Sequence, residues 1–117
     1  MNVAEITTEL IRLSRLLDTC NQELVTRSRE WALAERDYRK QRVVAFHVLR
    51  GEKMTADERG ASADASTADA RYARDLAESL KQAALEHERS VRAQLSAVQS
   101  IGSALKSEMA LSGRDGP

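Results

Sequence analysis

The chain has 117 residues, with 18 basic and 18 acidic side chains, and only 3% of its residues are aromatic. A formal charge of zero removes any global electrostatic argument for binding nucleic acid or an anionic membrane, and so few large side chains exclude the thick core of an ordinary globular domain. The composition is typical of long helices. A single cysteine, a start unlike a signal peptide and the lack of an apolar run of about 18 residues favour a cytoplasmic protein without a membrane span.

A heptad repeat organises the first half of the chain. Two series with a spacing of seven residues, one from Val3 to Ala45 and one from Ile6 to Val48, consist mainly of apolar residues. These two series are the a and d positions of a helical seam. Neither proline nor glycine interrupts them, so the pattern predicts one long helix over about residues 3–50.

Turn and capping signals divide the remaining chain. Gly51 can adopt the left-handed conformation that ends a helix, and Thr55 with Glu58 forms a capping box that begins the next one. The helical pattern then continues to about residue 111. We therefore predict a turn at residues 51–54 and a second helix at about 55–111.

A short turn between two long helices forces an antiparallel hairpin. The sequence thus predicts an all-α, coiled-coil-like fold with one domain at residues 1–112 and a flexible tail at 113–117. Facing positions should have numbers that sum to about 105–108, since the turn is central. The aromatic residues Trp31, Tyr38 and Phe46 then face an alanine-rich stretch, which keeps the spacing of the helices constant.

The second helix shows one irregularity in its apolar pattern. Ser66, Ala73, Leu80 and His87 form one column of the predicted seam, after which two successive steps of four residues follow around Val91. Such a stutter locally unwinds a supercoil. We expect it opposite the N-terminal part of the first helix.

Further apolar residues lie outside the seam on both helices. A lone hairpin would leave them in water, so we expect self-association, most simply a dimer that closes a four-helix bundle, or a higher oligomer. The candidate interface residues are Ile11, Leu16, Val25, Leu33, Val43, Val44, Phe46, Tyr72, Leu76 and Leu85.

Polar residues on the seam are predicted to set the register of the hairpin, because a buried charge or amide needs a partner. These residues are Arg27, Gln41, Glu78 and His87. The facing rule brings Arg27 near Glu78, and it brings Gln41 near Asp64 or Ser66. For Arg27, an outward orientation towards water is an equal alternative.

The same register brings Cys20 close to His87. A cysteine–histidine pair can generate a thiolate nucleophile. A two-helix rod, however, has neither an oxyanion hole nor a cleft, so we interpret the pair as a buried thiol beside a seam histidine. Helical di-iron motifs, phosphate loops and nucleophile motifs are also missing. We expect no catalytic residue, metal, cofactor or small-molecule substrate, and therefore no enzyme.

A basic excess late in the first helix is the strongest functional signal. Eight basic and four acidic side chains lie between Arg27 and Lys53. One outer face is positive, and its repetition in an oligomer could follow a phosphate backbone. The candidate phosphate contacts are Arg29, Arg36, Arg39, Lys40, Arg42 and Arg50. A solvated helix face and a surface for an acidic protein stay open as alternatives.

Three groups of segments stand out for their resemblance to a known family. They are WALAERDYRK at 31–40, residues 51 and 55–59, and residues 72–78, 84–86 and 92–100. These segments resemble small all-helical proteins of unassigned activity encoded by actinobacterial phages and prophages. The resemblance implies a location in the bacterial host cytoplasm and a non-enzymatic accessory role in DNA recombination or replication, similar in role to phage recombination mediators. The implied partners are single-stranded DNA or a DNA-bound protein. The alternative is an interaction adaptor or virion-assembly component that does not bind nucleic acid.

Overall fold

The computed structural model describes residues 1–114 and contains three helices. They are α1 at Val3–Val48, α2 at Ala56–Ser66 and α3 at Ala68–Arg114, and no strand occurs among the described residues. The predicted all-α fold is confirmed, with α2 and α3 in place of one continuous second helix. Of the predicted tail at 113–117, the first two residues belong to α3 and the last three lie outside the described part.

The ends of α1 and α2 follow the predicted local signals. Gly51 has a φ of 89°, the left-handed conformation that glycine adopts without strain, although α1 itself ends slightly before the expected limit. The Glu58 N–H donates to Thr55 Oγ1 at 3.2 Å, and the Thr55 N–H donates to Glu58 Oε2 at 3.4 Å. This capping box confirms the predicted start of the helix after the turn.

Thr67 separates α2 from α3. Its backbone, at φ −109° and ψ 11°, departs from helical geometry. The buried Thr67 hydroxyl donates to the Ala63 carbonyl at 2.7 Å, and the Ser66 hydroxyl donates to the same oxygen at 3.1 Å. Hydroxyl groups that bond to a carbonyl of the preceding turn compete with the helical ladder and bend it. The sequence pattern predicted one continuous helix through this position.

The described chain forms two compact units. We call Met1–Glu23 with the residues from Ala84 onward the terminal unit, and Leu24–Ala83 the central unit. The terminal unit contains the first part of α1 and most of α3. The central unit contains the rest of α1, all of α2 and the beginning of α3.

In the terminal unit, α1 and α3 pack antiparallel around an aliphatic core. A Cβ atom on Gly102 would lie 3.4 Å from Ile6 Cγ2, whereas Cys20 lies beside His87, so rising numbers on α1 meet falling numbers on α3. Both pairs obey the predicted facing rule. The buried core residues are Ile6, Leu13, Cys20, Val91 and Val98, and the partly buried residues against them are Leu10, Leu16, Leu17, Leu95 and Leu105.

The seam of α3 in this unit is regular. The inward positions Glu88, Val91, Leu95 and Val98 alternate steps of three and four residues, so the predicted stutter is wrong. Glu88, with 6% of its surface exposed, occupies the seam position that the sequence analysis gave to His87. Its carboxylate accepts a hydrogen bond from Arg92 Nε at 2.8 Å, which compensates the burial of the charge.

In the central unit, long cationic side chains occupy the seam beside aromatic rings. Lys81 Nζ lies 4.0 Å from the centroid of the Trp31 ring, and Arg74 Cζ lies 4.3 Å from that of Tyr38. Leu80, which was predicted for the seam, is exposed. The stems of lysine and arginine can fill a seam while their charged ends contact a ring face. The prediction that an alanine-rich stretch faces the aromatic residues was therefore incomplete, because Lys81 and Arg74 contact the rings as well.

The irregular step expected in the second helix occurs in α1 instead. The residues of α1 that face inward are normally three and four apart in turn, but Ala34, Tyr38 and Arg42 are separated by two successive steps of four. Gln41 and Val48, the last predicted d positions, are consequently exposed. Two steps of four move the inward face across the helix surface. None of the helices in residues 1–114 combines the length and apolar character needed to cross a membrane.

Candidate nucleic-acid interface

An exposed stripe runs along the outer side of α1 in the central unit. Its members are three or four residues apart, carry no acidic group and extend over about 37 Å at 1.5 Å per residue. We call them the outer stripe: Val25, Arg29, Leu33, Arg36, Lys40, Val43, His47 and Arg50. This spacing puts the members from Val25 to His47 on one face of α1, and Arg50 follows in the turn after the helix ends.

Four of the six predicted phosphate contacts belong to the outer stripe. Arg29, Arg36, Lys40 and Arg50 are all exposed. Within the described residues, no carboxylate forms an ion pair with any of these four side chains. Their full positive charges therefore face the solvent.

The other two predicted phosphate contacts are already paired. Arg39 Nε donates to Glu35 Oε1 at 2.7 Å, and Arg42 Nη1 donates to Asp64 Oδ1 on α2. The hydrogen bond from Arg42 holds the pKa of Asp64 below its ordinary value and raises the pKa of the guanidinium. Arg42 thus joins two helices of the central unit, and its charge is partly neutralised.

A depression of about 600 Å³ lies beside the C-terminal end of the stripe. We call it the Phe46 depression, and its lining residues are Arg39, Arg42, Val43, Phe46, His47 and Arg50. The Phe46 side chain remains 39% exposed, and Arg42 Cζ lies over its ring, 5.1 Å from the centroid. Sequence reasoning missed this site, although the spacing of Arg42, Phe46 and Arg50 at successive steps of four residues marks it.

Most of the predicted oligomer-interface residues are on the surface. Leu16 packs against the terminal core, and Leu85 is half-buried, so these two are less available for a partner than the sequence analysis assumed. The exposed candidates are Ile11, Val25, Leu33, Val43, Val44, Phe46, Tyr72 and Leu76. Self-association remains a prediction.

The predicted register-setting side chains have mainly local contacts. Arg27 Nη1 donates to Glu30 Oε2 at 3.1 Å. Gln41 Nε2 donates to Asp37 Oδ2 at 3.0 Å rather than to Asp64, because the irregular step in α1 turns Gln41 outward and Arg42 inward. Glu78 is exposed. The ion pair between Arg42 and Asp64 performs the role that we assigned to Gln41.

The predicted proximity of Cys20 and His87 is confirmed. Cys20 Sγ lies 3.6 Å from His87 Nδ1, and Cys20 is only 3% exposed within the terminal core. A buried thiol cannot meet a substrate without local opening, whatever its acidity. Across the described residues, no three His, Cys, Asp or Glu side chains are grouped so that they could hold a metal ion.

Comparisons of the chain with models of protein families, with curated proteins and with solved structures give no match. The candidate interface therefore depends on its own geometry and charge.

Proposed function

We propose that this chain is a helical binding protein that acts without catalysis and binds the phosphate backbone of DNA through the outer stripe. The observation that supports this most strongly is the set of exposed cations Arg29, Arg36, Lys40 and Arg50, none of which is paired with a carboxylate within residues 1–114. An unpaired cation gives up no internal ion pair when it contacts a phosphate, and each contact releases condensed counterions. Favourable binding at low salt is the expected consequence.

The arrangement of these cations suits an extended ligand. Arg29 and Arg36 are one heptad apart, about 10 Å along the helix axis, and Lys40 follows one turn later. A straight row of charges contacts successive phosphates without requiring the protein to enclose the nucleic acid. Such binding fits a recombination or replication accessory, which is the role implied by the resemblance to phage proteins.

Self-association would strengthen this binding. The exposed Val44 and Leu76, which lie outside the outer stripe, are among the residues that a second copy would cover. A dimer would carry two outer stripes, which raises the effective concentration of cations along one strand. Light scattering should give a mass above that of one 13.0 kDa chain. A monomer at all concentrations would remove self-association from the proposal.

Charge reversal tests the proposal. We expect the triple variant R29E/R36E/R50E to lose most of its affinity for a labelled single-stranded oligonucleotide in fluorescence anisotropy. Its salt dependence should also be less steep, by about 0.7 in the log–log slope for each phosphate that the variant no longer neutralises. The matched control is R15E/R89E/K106E, which changes the charge equally at exposed positions of the terminal unit.

Two results would contradict phosphate binding by the stripe. One is a wild-type protein that does not bind DNA at low salt. The other is an equal loss of affinity in the stripe variant and in the control variant, because the effect would then follow net charge rather than position.

A protein partner is the second candidate. The specific observation in its favour is that Val25, Leu33 and Val43 alternate with the cations on the outer stripe and are well exposed. An amphipathic acidic helix would contact both kinds of side chain, as an adaptor or assembly component requires. In that case the variant V25S/L33S/V43S should lose its partner, whereas phosphate binding should survive these changes.

A further inference from the structure

Phe46 differs from the other two aromatic residues of α1. Trp31 and Tyr38 are only partly exposed, because each packs on the seam under the side chain of Lys81 or Arg74. Phe46 lines an open depression at the end of the outer stripe and keeps 39% of its surface exposed. It is the aromatic ring of α1 that a ligand on the stripe can reach.

The contacts of Phe46 hold its ring in a defined position. The Arg42 guanidinium lies over one face of the ring, 5.1 Å from its centroid, and Arg42 is itself bonded to Asp64 on α2. A side chain that is already positioned loses less conformational freedom when it binds. The ring keeps 39% of its residue's surface exposed in the depression, which leaves area for a planar ligand.

The surroundings of Phe46 are suited to a nucleotide. Val43 adds apolar surface, and His47 and Arg50 provide donors for a phosphate at the rim. None of the residues that line the depression is acidic. A flat apolar group joined to a negative charge therefore meets both an apolar surface and cationic donors in one depression.

From this geometry we infer that Phe46 stacks on a base of single-stranded DNA while the outer stripe contacts the phosphates. The inference rests on the proposed function and specifies the form of nucleic acid. In a duplex both faces of each base are covered by neighbouring bases, so an exposed phenyl ring gains little there. In a single strand every base has a free face, and stacking on aromatic side chains tolerates any sequence.

An abasic oligonucleotide separates stacking from phosphate contact. We would measure the affinity of the wild type, F46A and F46L for oligothymidylate and for an abasic strand of the same length. F46A should bind oligothymidylate about tenfold more weakly than the wild type, which is the usual scale of one base–aromatic contact. F46L should lose nearly as much affinity, whereas neither variant should lose affinity for the abasic strand.

Circular dichroism and thermal melting of each variant check the fold, and V48A provides an exposed apolar control on the same helix, outside the outer stripe and the Phe46 depression. F46L binding to oligothymidylate as tightly as the wild type would overturn the inference, because apolar contact rather than an aromatic face would then suffice. Equal losses of F46A on both strands would overturn it as well. A wild type that binds neither strand would instead contradict the proposed function itself.

Discussion

The terminal and central units use the same helical seam with different chemistry. In the terminal unit Leu13 and Val91 are fully buried among other aliphatic residues. The buried residues of the central unit are Ala63, Thr67 and Ala70, and its larger inward side chains contact rings or carboxylates through cationic ends. A seam can therefore be continuous in sequence while its source of stability changes along the helix.

This difference has consequences for both stability and function. Full burial of a leucine or valine contributes about 1.5–3 kcal/mol, whereas a cation over an aromatic ring contributes about 0.5–2 kcal/mol. The terminal unit should therefore be the more resistant to unfolding. The outer stripe and the Phe46 depression both belong to the central unit.

The largest predicted effect is in the terminal core. Leu13→Ala should lower the free energy of unfolding by about 3 kcal/mol, because it opens a cavity between α1 and α3. Leu33→Ala removes the same atoms from an exposed site of the central unit and should cost well under 1 kcal/mol, mainly through weaker surface packing. Urea unfolding followed by circular dichroism measures both. Similar costs for the two variants would show that the aliphatic core does not dominate.

A smaller effect is expected at the buried carboxylate of the terminal unit. Arg92→Ala leaves Glu88 without the hydrogen bond at 2.8 Å and should destabilise the protein by about 1 kcal/mol, since Arg92 itself is largely exposed. Glu88→Leu in the same assay should be neutral or stabilising, because it completes the apolar seam. Strong destabilisation by Glu88→Leu would indicate that the carboxylate has a contact beyond Arg92.

The contact between Lys81 and Trp31 tests the central unit. Lys81→Met keeps a long unbranched stem but removes the ammonium group 4.0 Å from the ring, and it should cost about 0.5–1 kcal/mol. Tryptophan fluorescence reports the change directly, because the chain has one tryptophan. Lys81→Arg serves as the control that keeps the cation. An unchanged unfolding midpoint in Lys81→Met would mean that packing of the stem alone covers Trp31.

Sequence patterns predicted which parts of the two helices pair more accurately than they predicted which side chains lie on the seam. The facing rule found the neighbours Cys20 and His87, since it depends only on the position of the turn. The placement of Leu80 and His87 on the seam followed apolar character and heptad spacing, and it was wrong in both cases, because Lys81 and Glu88 are the more buried neighbours. Long charged side chains can bury their stems and keep their ends bonded, which a binary apolar pattern does not represent.

The candidate site was only partly predictable for the same reason. The basic excess identified the stretch of α1 that carries the outer stripe, but charge counting could not distinguish Arg42, which is bonded to Asp64, from Arg36, which is exposed. That distinction depends on the irregular step after Ala34. The step becomes visible only when the helices are packed, because it leaves the local helical pattern unchanged.

The smallest predicted effect concerns two carboxylates, one in each unit. Hydrogen bonding from Arg12 lowers the pKa of Glu9 within a single turn of α1, while hydrogen bonding from Arg42 lowers the pKa of Asp64 across two helices. Titration of the carboxyl carbons by NMR should show both values below those of free side chains. Arg42→Gln should return the pKa of Asp64 towards its ordinary value and leave Glu9 unchanged, and Arg12→Gln should do the reverse.

The sign of the resulting stability change follows from the lowered pKa of Asp64 in the folded state. The contribution of its ionised form is complete above the pKa of the unfolded chain, about 3.9, and it is lost as the pH falls through the lower folded value. Acidification over this range should therefore destabilise the wild type more than Asp64→Asn. A parallel pH dependence of the two proteins would mean that the ion pair contributes no stability in solution, and that apolar packing alone holds α2 on α1.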